Sequence, residues 1–187
     1  MRAGEVIRIA VPLFQLFQKE NYLPKICKFA NFIVPLQDKI KIHTMNQLLG
    51  KAIRFALAVH TEQVDKSGMP YAGHIMRVMA SGKTIDEKIV GVLHDVIEDT
   101  EYTFDDLLSQ GYPVYIVDAL RCLTKLSEDE PYESFIQRVK TNSLAMAVKI
   151  NDLTDNMDIR RLQDITDSDV KRLRKYLRAY HDLTSQK

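Results

Sequence analysis

The sequence predicts an all-α protein. Apolar residues recur at the three-to-four-residue spacing of amphipathic helices along most of the 187 residues. No stretch shows the strict alternation of apolar and polar residues that is typical of a half-buried strand. Residues that start or stop helices, such as Thr103 and Gly111, also fall at the ends of the apolar patterns.

Composition limits the class of protein. The chain is 45% hydrophobic and 27% charged, with 7 Gly and 6 Pro, which excludes a disordered, collagen-like or low-complexity protein. The formal charge of +1 gives no overall basic field, so we expect no nucleic-acid partner. No apolar run reaches the ~20 residues that span a bilayer. Two cysteines, Cys27 and Cys122, form no disulfide framework, and these features together predict a cytoplasmic protein.

The charge is unevenly distributed along the chain. Residues 1–44 contain seven Lys/Arg and three Asp/Glu, a formal charge of +4, which leaves −3 for the rest. We predict a basic N-terminal helical extension over residues 1–45 and one catalytic domain over residues 46–187. Contact of residues 1–44 with a membrane surface or a partner is a less favoured alternative. A third is that Met45 is the natural start.

The second segment contains the strongest helical patterns. Asn46 is expected to cap a helix that carries Leu49, Ile53, Ala56 and Val59 on one face. A loop with turn residues follows over 66–71. Thr103 and the acids after it predict a helix start, and Gly111 its end. The other helices are predicted over residues 74–81, 86–98, 113–125, 131–140, 142–158 and 167–183.

The densest cluster of ionisable side chains lies at residues 94–99. Four of these six residues are ionisable and lie beside an apolar stripe, namely His94, Asp95, Glu98 and Asp99. On a helix His94 shares a face with Glu98. Burying these groups unpaired is costly, and a divalent cation would compensate the clustered negative charge. The alternative is an acidic helix end exposed to solvent.

Two further segments support the first interpretation. In residues 68–74 a rigid turn delivers His74 to the start of a helix. In residues 148–156 Asp152 lies within an apolar helix, one turn from both Lys149 and Asn156. A carboxylate in such a position requires a partner, which is either a cation site or a salt bridge to Lys149.

The three segments together resemble the HD superfamily of metal-dependent phosphohydrolases. The matching words are GMPYAGH (68–74), VLHDVIEDT (92–100), LTK (123–125) and VKINDLTDN (148–156). They are most similar to the (p)ppGpp hydrolase domain of RelA/SpoT-type proteins and to small stand-alone alarmone hydrolases. The resemblance spans roughly residues 46–184 and implies a compact HD-domain helical bundle.

The resemblance implies roles for individual residues. Glu98 and Asp99 would orient or deprotonate the attacking water, and one divalent ion would be Mn²⁺, although the ligand types also suit Fe, Zn or Mg. Lys66 would contact phosphate and Asn156 the nucleotide sugar, while Tyr71 is either a pocket wall or a structural tyrosine. The implied metal ligands are His74, His94, Asp95 and Asp152.

Three residues near these motifs do not follow the family's pattern of site residues. His60 is expected to be a structural or supporting histidine outside the ligand set. Asp65 stands where the family often has a basic residue, and Asp158 where relatives commonly have arginine, so the nucleotide pocket is expected to be altered.

The function implied is removal of the 3′-pyrophosphate from the guanosine alarmones (p)ppGpp of the stringent response by a metal-dependent phosphohydrolase. One alternative is an HD-domain hydrolase of another nucleotide or phosphoester. A less favoured one is a non-catalytic nucleotide-sensing module.

Overall fold

The computed structural model describes residues 23–185, with side chains from Lys41 onward. The chain divides into two units, Met1–Thr44 and Met45–Lys187. In the first unit the described backbone is helical and belongs to α1 (Leu23–Val59). The predicted helices within residues 1–22 and the proposed membrane or partner contacts through the side chains of 1–40 lie outside the described residues. The roles assigned to segments 1–45 and 46–187 stay predictions.

The described part of the second unit consists of helices joined by loops, which confirms the predicted fold class. Within residues 23–185 the extended structure is limited to one isolated bridge between Val64 and Pro70. In the same range, no helix has the length and hydropathy needed to cross a bilayer. After α1 the helices are α2 (Ala72–Ser81), α3 (Ile85–Leu93), α4 (Val96–Asp99), α5 (Phe104–Ser109), α6 (Val114–Leu123), α7 (Tyr132–Lys140), α8 (Ser143–Asn156), a short 3₁₀ turn (Ile159–Arg161) and α9 (Asp167–Thr184).

The predicted helix boundaries around α5 are confirmed. Thr103 forms a capping box, in which its side chain accepts from the amide of Asp106 and the Asp106 carboxylate accepts from the amide of Thr103. Gly111 follows the helix with φ +86°, a left-handed conformation that glycine adopts without strain. Local chemistry therefore sets both ends of α5.

Two predicted helix boundaries are wrong. Asn46 is not an N-cap, because it lies inside α1. The helix expected over 86–98 is divided into α3 and α4, with His94 and Asp95 between them. Part of the reason is that the His94 imidazole donates to the carbonyl of Gly91, so a side chain satisfies an acceptor in the last turn of α3.

Helix α8 is the central element of the second unit. It packs against α2, α3, α6, α7 and α9, and it buries Ala145, Val148 and Leu153 completely. Helices α2 and α3 also approach closely, since a Cβ atom on Gly91 would lie 3.3 Å from the Cα of Met79. This packing brings the start of α2, the end of α3 and the last turns of α8 to one place.

Candidate functional site

The four side chains predicted as metal ligands converge where α2, α3 and α8 meet. The Nε2 atom of His94 lies 3.0 Å from Asp95 Oδ2 and 3.6 Å from Asp152 Oδ1. The Nε2 atom of His74 lies 3.6 Å and 3.3 Å from the same two oxygens. Two imidazole nitrogens therefore face two carboxylate oxygens in a buried cluster.

Hydrogen bonds on the far side of each ring orient the imidazoles. The Nδ1 atom of His74 lies 2.7 Å from Asp155 Oδ2, and Nδ1 of His94 lies 2.8 Å from the Gly91 carbonyl oxygen. Both acceptors require the proton on Nδ1, so in the neutral ring the lone pair on Nε2 is directed at the cluster. Metal-binding histidines are held in this way by a carboxylate or carbonyl on the opposite nitrogen.

The electrostatics of the cluster call for a cation. Burial disfavours the charged imidazole, but hydrogen bonds with three carboxylates outweigh it and raise the pKa of His74 to about 11. Burial is likewise outweighed by the charge of Asp95, which raises the pKa of His94 to about 9. Without another cation the carboxylates hold protons on both rings, and a divalent ion would replace those protons.

The carboxylates are anchored by neighbouring polar groups. Lys149 Nζ lies 2.8 Å from Asp152 Oδ2, and Asn156 Nδ2 donates to Asp152 Oδ1 at 2.5 Å. Burial opposes ionisation of Asp152, but the charge of Lys149 holds the pKa of this carboxyl well below its usual range. The hydroxyl of Tyr71 donates to Asp95 Oδ2. The salt bridge considered for Lys149 exists, and it leaves Asp152 Oδ1 facing the imidazoles.

The donor set fits a metal ion. Ligand atoms of His74, His94 and Asp95 all lie within 4.8 Å of one another. The Nε2 atom of His94 is buried and, although it lies 3.0 Å from Asp95 Oδ2, it makes no well-aligned hydrogen bond in the described part of the chain. Buried polar atoms are nearly always satisfied, so this nitrogen points to a ligand. The buried cluster is able to bind a divalent metal, and nitrogen with oxygen donors suits several first-row ions.

Glu98 and Asp99 lie beside the cluster. Both line the same cavity as Asp95, and Glu98 Oε1 is 3.4 Å from Lys125 Nζ. Burial, together with the charges of Asp95 and Glu98, raises the pKa of Asp99. A carboxylate with a raised pKa is a stronger proton acceptor, which is the property that a general base requires.

A cavity of about 400 Å³ opens beside the cluster, and both acids and cations line it. We call Lys66, Lys125, Lys149, Arg172 and Lys175, which all line it, the cationic wall. Burial and the charges of neighbouring wall residues lower the pKa of Lys175, and burial with Arg172 lowers that of Lys66. Cations that repel one another across a cavity favour a bound anion.

Several known proteins are similar in sequence to this chain. A GTP pyrophosphokinase of Streptomyces coelicolor is 28% identical over 169 residues, which cover 83% of this chain and 20% of that protein. A GTP pyrophosphokinase of Myxococcus xanthus is 32% identical over 130 residues, covering 59% and 17%. A probable guanosine-3′,5′-bis(diphosphate) 3′-pyrophosphohydrolase of Synechocystis is 30% identical over 123 residues, covering 59% and 16%. The chain therefore spans about a fifth or less of these relatives. No protein-family model matches the chain.

A solved structure gives the same fold. It belongs to a metazoan ortholog of SpoT, described as hydrolysing ppGpp, and it matches with a TM-score of 0.61 at 21% identity over 73% of this chain and 84% of that one. The chain is a distant homologue of the RelA/SpoT proteins. The predicted family resemblance and the HD-type helical fold are thereby confirmed.

The other predicted site residues lie around the cavity. Lys66, Tyr71 and Asn156 all line it, although Asn156 and Tyr71 are also bound to Asp152 and Asp95. His60 is buried outside the ligand cluster, with Nδ1 2.7 Å from Gln63 Oε1. Because Gln63 donates in turn to the Asp99 carbonyl, His60 supports the segment that carries the acid pair.

Several residues that the structure brings to the site had no role in the sequence analysis. Asp155 supports His74, and Arg172, Lys175 and Tyr176 reach the cavity from α9. Asp155 lies three residues after Asp152, so a search for a carboxylate one turn from a ligand would have found it. The α9 residues carried no such signal, because their approach depends on how α9 packs on α8.

Proposed function

We propose that the protein is a metal-dependent phosphohydrolase that removes the 3′-pyrophosphate from the guanosine alarmones (p)ppGpp. The observation that carries the proposal is the position of the His/Asp cluster, which lies at a cavity that several lysines and arginines also line. The names of the relatives support the alarmone as substrate.

His74, His94, Asp95 and Asp152 would hold the ion, and we propose Mn²⁺. When bound, a divalent ion supplies Lewis-acid polarisation of a phosphoryl oxygen and lowers the pKa of water. The chain itself keeps both Nε2 lone pairs directed at the cluster, because Asp155 and the Gly91 carbonyl hold the Nδ1 protons.

Glu98 and Asp99 would handle the proton of the attacking water. Both line the cavity beside Asp95, and the pKa of Asp99 is raised by burial and by its acidic neighbours. Hydrolysis consumes one water, breaks the P–O bond at the ribose 3′ oxygen, and gives pyrophosphate and a 5′-nucleotide. A carboxylate within reach of that water accepts its proton as the new P–O bond forms.

The cationic wall would bind the substrate's phosphates. Lys66, Lys125 and Arg172 lie on different elements, so the wall surrounds the cavity on several sides. Charge-assisted hydrogen bonds to phosphate are about twice as strong as neutral ones. Asn156 would contact the sugar, and Tyr71 would form part of the cavity wall.

Hydrolysis of another nucleotide is the second candidate function. It is favoured by Asp65 and Asp158, because neither position supplies the basic side chain that the resemblance implies there. A purely nucleotide-sensing role is not favoured, because binding alone does not require Glu98 and Asp99 beside the ligand cluster.

The test is a product analysis with Mn²⁺-loaded protein and a panel of ppGpp, pppGpp, GTP, ATP and bis(p-nitrophenyl) phosphate. We expect GDP and pyrophosphate from ppGpp, and no turnover after the metal is chelated. Turnover of a different phosphoester with intact ppGpp would overturn the alarmone assignment. Failure to turn over every substrate with a full complement of metal would favour the sensing module.

A further inference from the structure

Asp65 does not present a free carboxylate to the cavity. Its Oδ1 accepts from the backbone amides of Ser67 at 2.8 Å and Met69 at 3.0 Å. We call residues 65–69, which these bonds close into a turn with Gly68 at φ +76°, the pocket loop. The other oxygen, Oδ2, lies 3.2 Å from Nη1 of Arg161. The charge of Asp65 is thus used within the protein.

Arg161 joins two parts of the site. Besides Asp65, its guanidinium contacts Asp155, with Nη2 3.1 Å from Oδ2 and a second bond to the Asp155 backbone carbonyl. Asp155 is the carboxylate that orients His74. The side chains of Asp65 and Asp155 are only 12% and 10% exposed, so these contacts are shielded from solvent far more than a surface ion pair.

A second arginine provides a comparison. Arg77 also binds Asp155, with Nε 2.6 Å from Oδ1, but it has no contact with Asp65 among the described residues. The support of His74 is therefore shared by two guanidinium groups. The connection to the pocket loop depends on Arg161.

We infer that Arg161 is a positioning residue that fixes the pocket loop, and with it Lys66, against the metal cluster. This inference rests on the proposed function for its catalytic consequence. The ion pair between Asp65 and Arg161 neutralises the carboxylate that would otherwise repel a phosphorylated substrate, and it makes the nucleotide-contacting loop part of the same network as His74. Arg161 also lines the cavity, so exchange of the loop amides without nucleotide is the measurement that separates positioning of the loop from a direct contact with the substrate.

Three variants separate this role from a general structural one. Arg161→Gln and Asp65→Asn each break the pair, and Asp65→Asn keeps the acceptor for the loop amides. Arg77→Gln removes a guanidinium from Asp155 and leaves the pair intact. The adjacent Arg160, which pairs with Asp158, gives a neutral control in Arg160→Gln.

The experiment measures binding of ppGpp to chelator-treated protein by calorimetry, hydrogen exchange of the pocket loop, and Mn²⁺ affinity. We expect Arg161→Gln and Asp65→Asn to weaken ppGpp binding about tenfold and to speed exchange in residues 65–69. The double variant should bind ppGpp no more weakly than Arg161→Gln alone, since the two changes remove the same interaction. Arg77→Gln should weaken Mn²⁺ binding as much as Arg161→Gln does, because both arginines bind Asp155. It should leave hydrogen exchange of the pocket loop unaltered.

Equal loop exchange in the parent and Arg161→Gln would overturn the inference, as would fully additive effects in the double variant. Arg161→Lys should restore only part of the affinity, because one ammonium group cannot bridge both carboxylates in the same geometry. The exchange measurement needs no substrate. It therefore tests the inference even if ppGpp proves not to be hydrolysed.

Discussion

Asp155 Oδ2 lies 2.7 Å from Nδ1 of His74, a residue 81 positions earlier in the chain. This carboxylate fixes the ring that offers its other nitrogen to the cluster. We predict that Asp155→Asn lowers Mn²⁺ affinity about 10- to 100-fold, as is typical for loss of an outer-shell partner. Calorimetric titration with Mn²⁺ measures the change. Asp118→Asn, at an exposed carboxylate on α6, is the control and should bind like the parent.

Asp95 is the proposed ligand whose removal tests the metal site most directly. Asp95→Ala should lose both bound metal and turnover, because one of the two oxygens facing the imidazoles is gone. Elemental analysis after dialysis against Mn²⁺ provides the measurement. Asp152→Ala should have the same effect on metal content, and it should also destabilise the fold, since it leaves Lys149 without its carboxylate partner. Parent-like metal content in either variant would remove that residue from the ligand set.

Substitution of Glu98 or Asp99 should lower the rate of hydrolysis and leave the metal content unchanged. Glu98→Gln and Asp99→Asn retain size but lose the ability to accept a proton. We expect at least one of them to lower kcat about 100-fold or more at unchanged metal content. Steady-state kinetics with metal quantified on the same sample decides which residue acts. If both variants keep full activity, the proton must be transferred elsewhere.

The two histidines make stability depend on pH in opposite ways without and with metal. In the metal-free protein the pKa values of His74 and His94 are about 11 and 9, above the ~6.5 of an unfolded histidine. Their contribution to the free energy of unfolding is therefore complete below ~pH 6.5 and is lost as pH rises through 9 and then 11. A metal binds the neutral rings, so its stabilising effect grows over the same range.

The measurement is thermal unfolding with Mn²⁺ or with a chelator, at intervals from pH 6.5 to 8.5. We predict that the difference in Tm between the two conditions widens as pH rises. A constant difference would show that metal binding displaces no protons from His74 and His94.

The two sides of α9 should differ in substrate binding. Arg172 lines the cavity above the cluster, whereas Arg174 lines a separate groove between α7 and α9. We predict that Arg172→Gln raises the KM for ppGpp about tenfold, the effect of one lost charged hydrogen bond. Arg174→Gln carries the same change of charge and should leave KM close to that of the parent. Equal effects of both variants would indicate a long-range charge effect instead of a contact.

Local sequence was sufficient for much of this protein. Helix periodicity placed most elements, and the caps at Thr103 and Gly111 were correct because they depend only on neighbouring backbone groups. The four side chains predicted as metal ligands could be named from their motifs, and the structure brings these side chains together. What sequence patterns failed to show is the division between α3 and α4, where the contact of His94 with Gly91 replaces regular helical continuation.

Only the tertiary structure decided how the remaining polar residues are used. Arg161 and Asp65 are 96 positions apart, and nothing in either local sequence indicates that they form a pair. The cationic wall likewise depends on the packing of α9 against α8, which brings Arg172 and Lys175 to the cavity that Asp95 and Asp152 line from other parts of the chain. Helix formation and motif spacing are short-range properties that a sequence displays directly. Ion pairs and cavity walls depend on the relative positions of whole helices, which the burial of apolar faces determines.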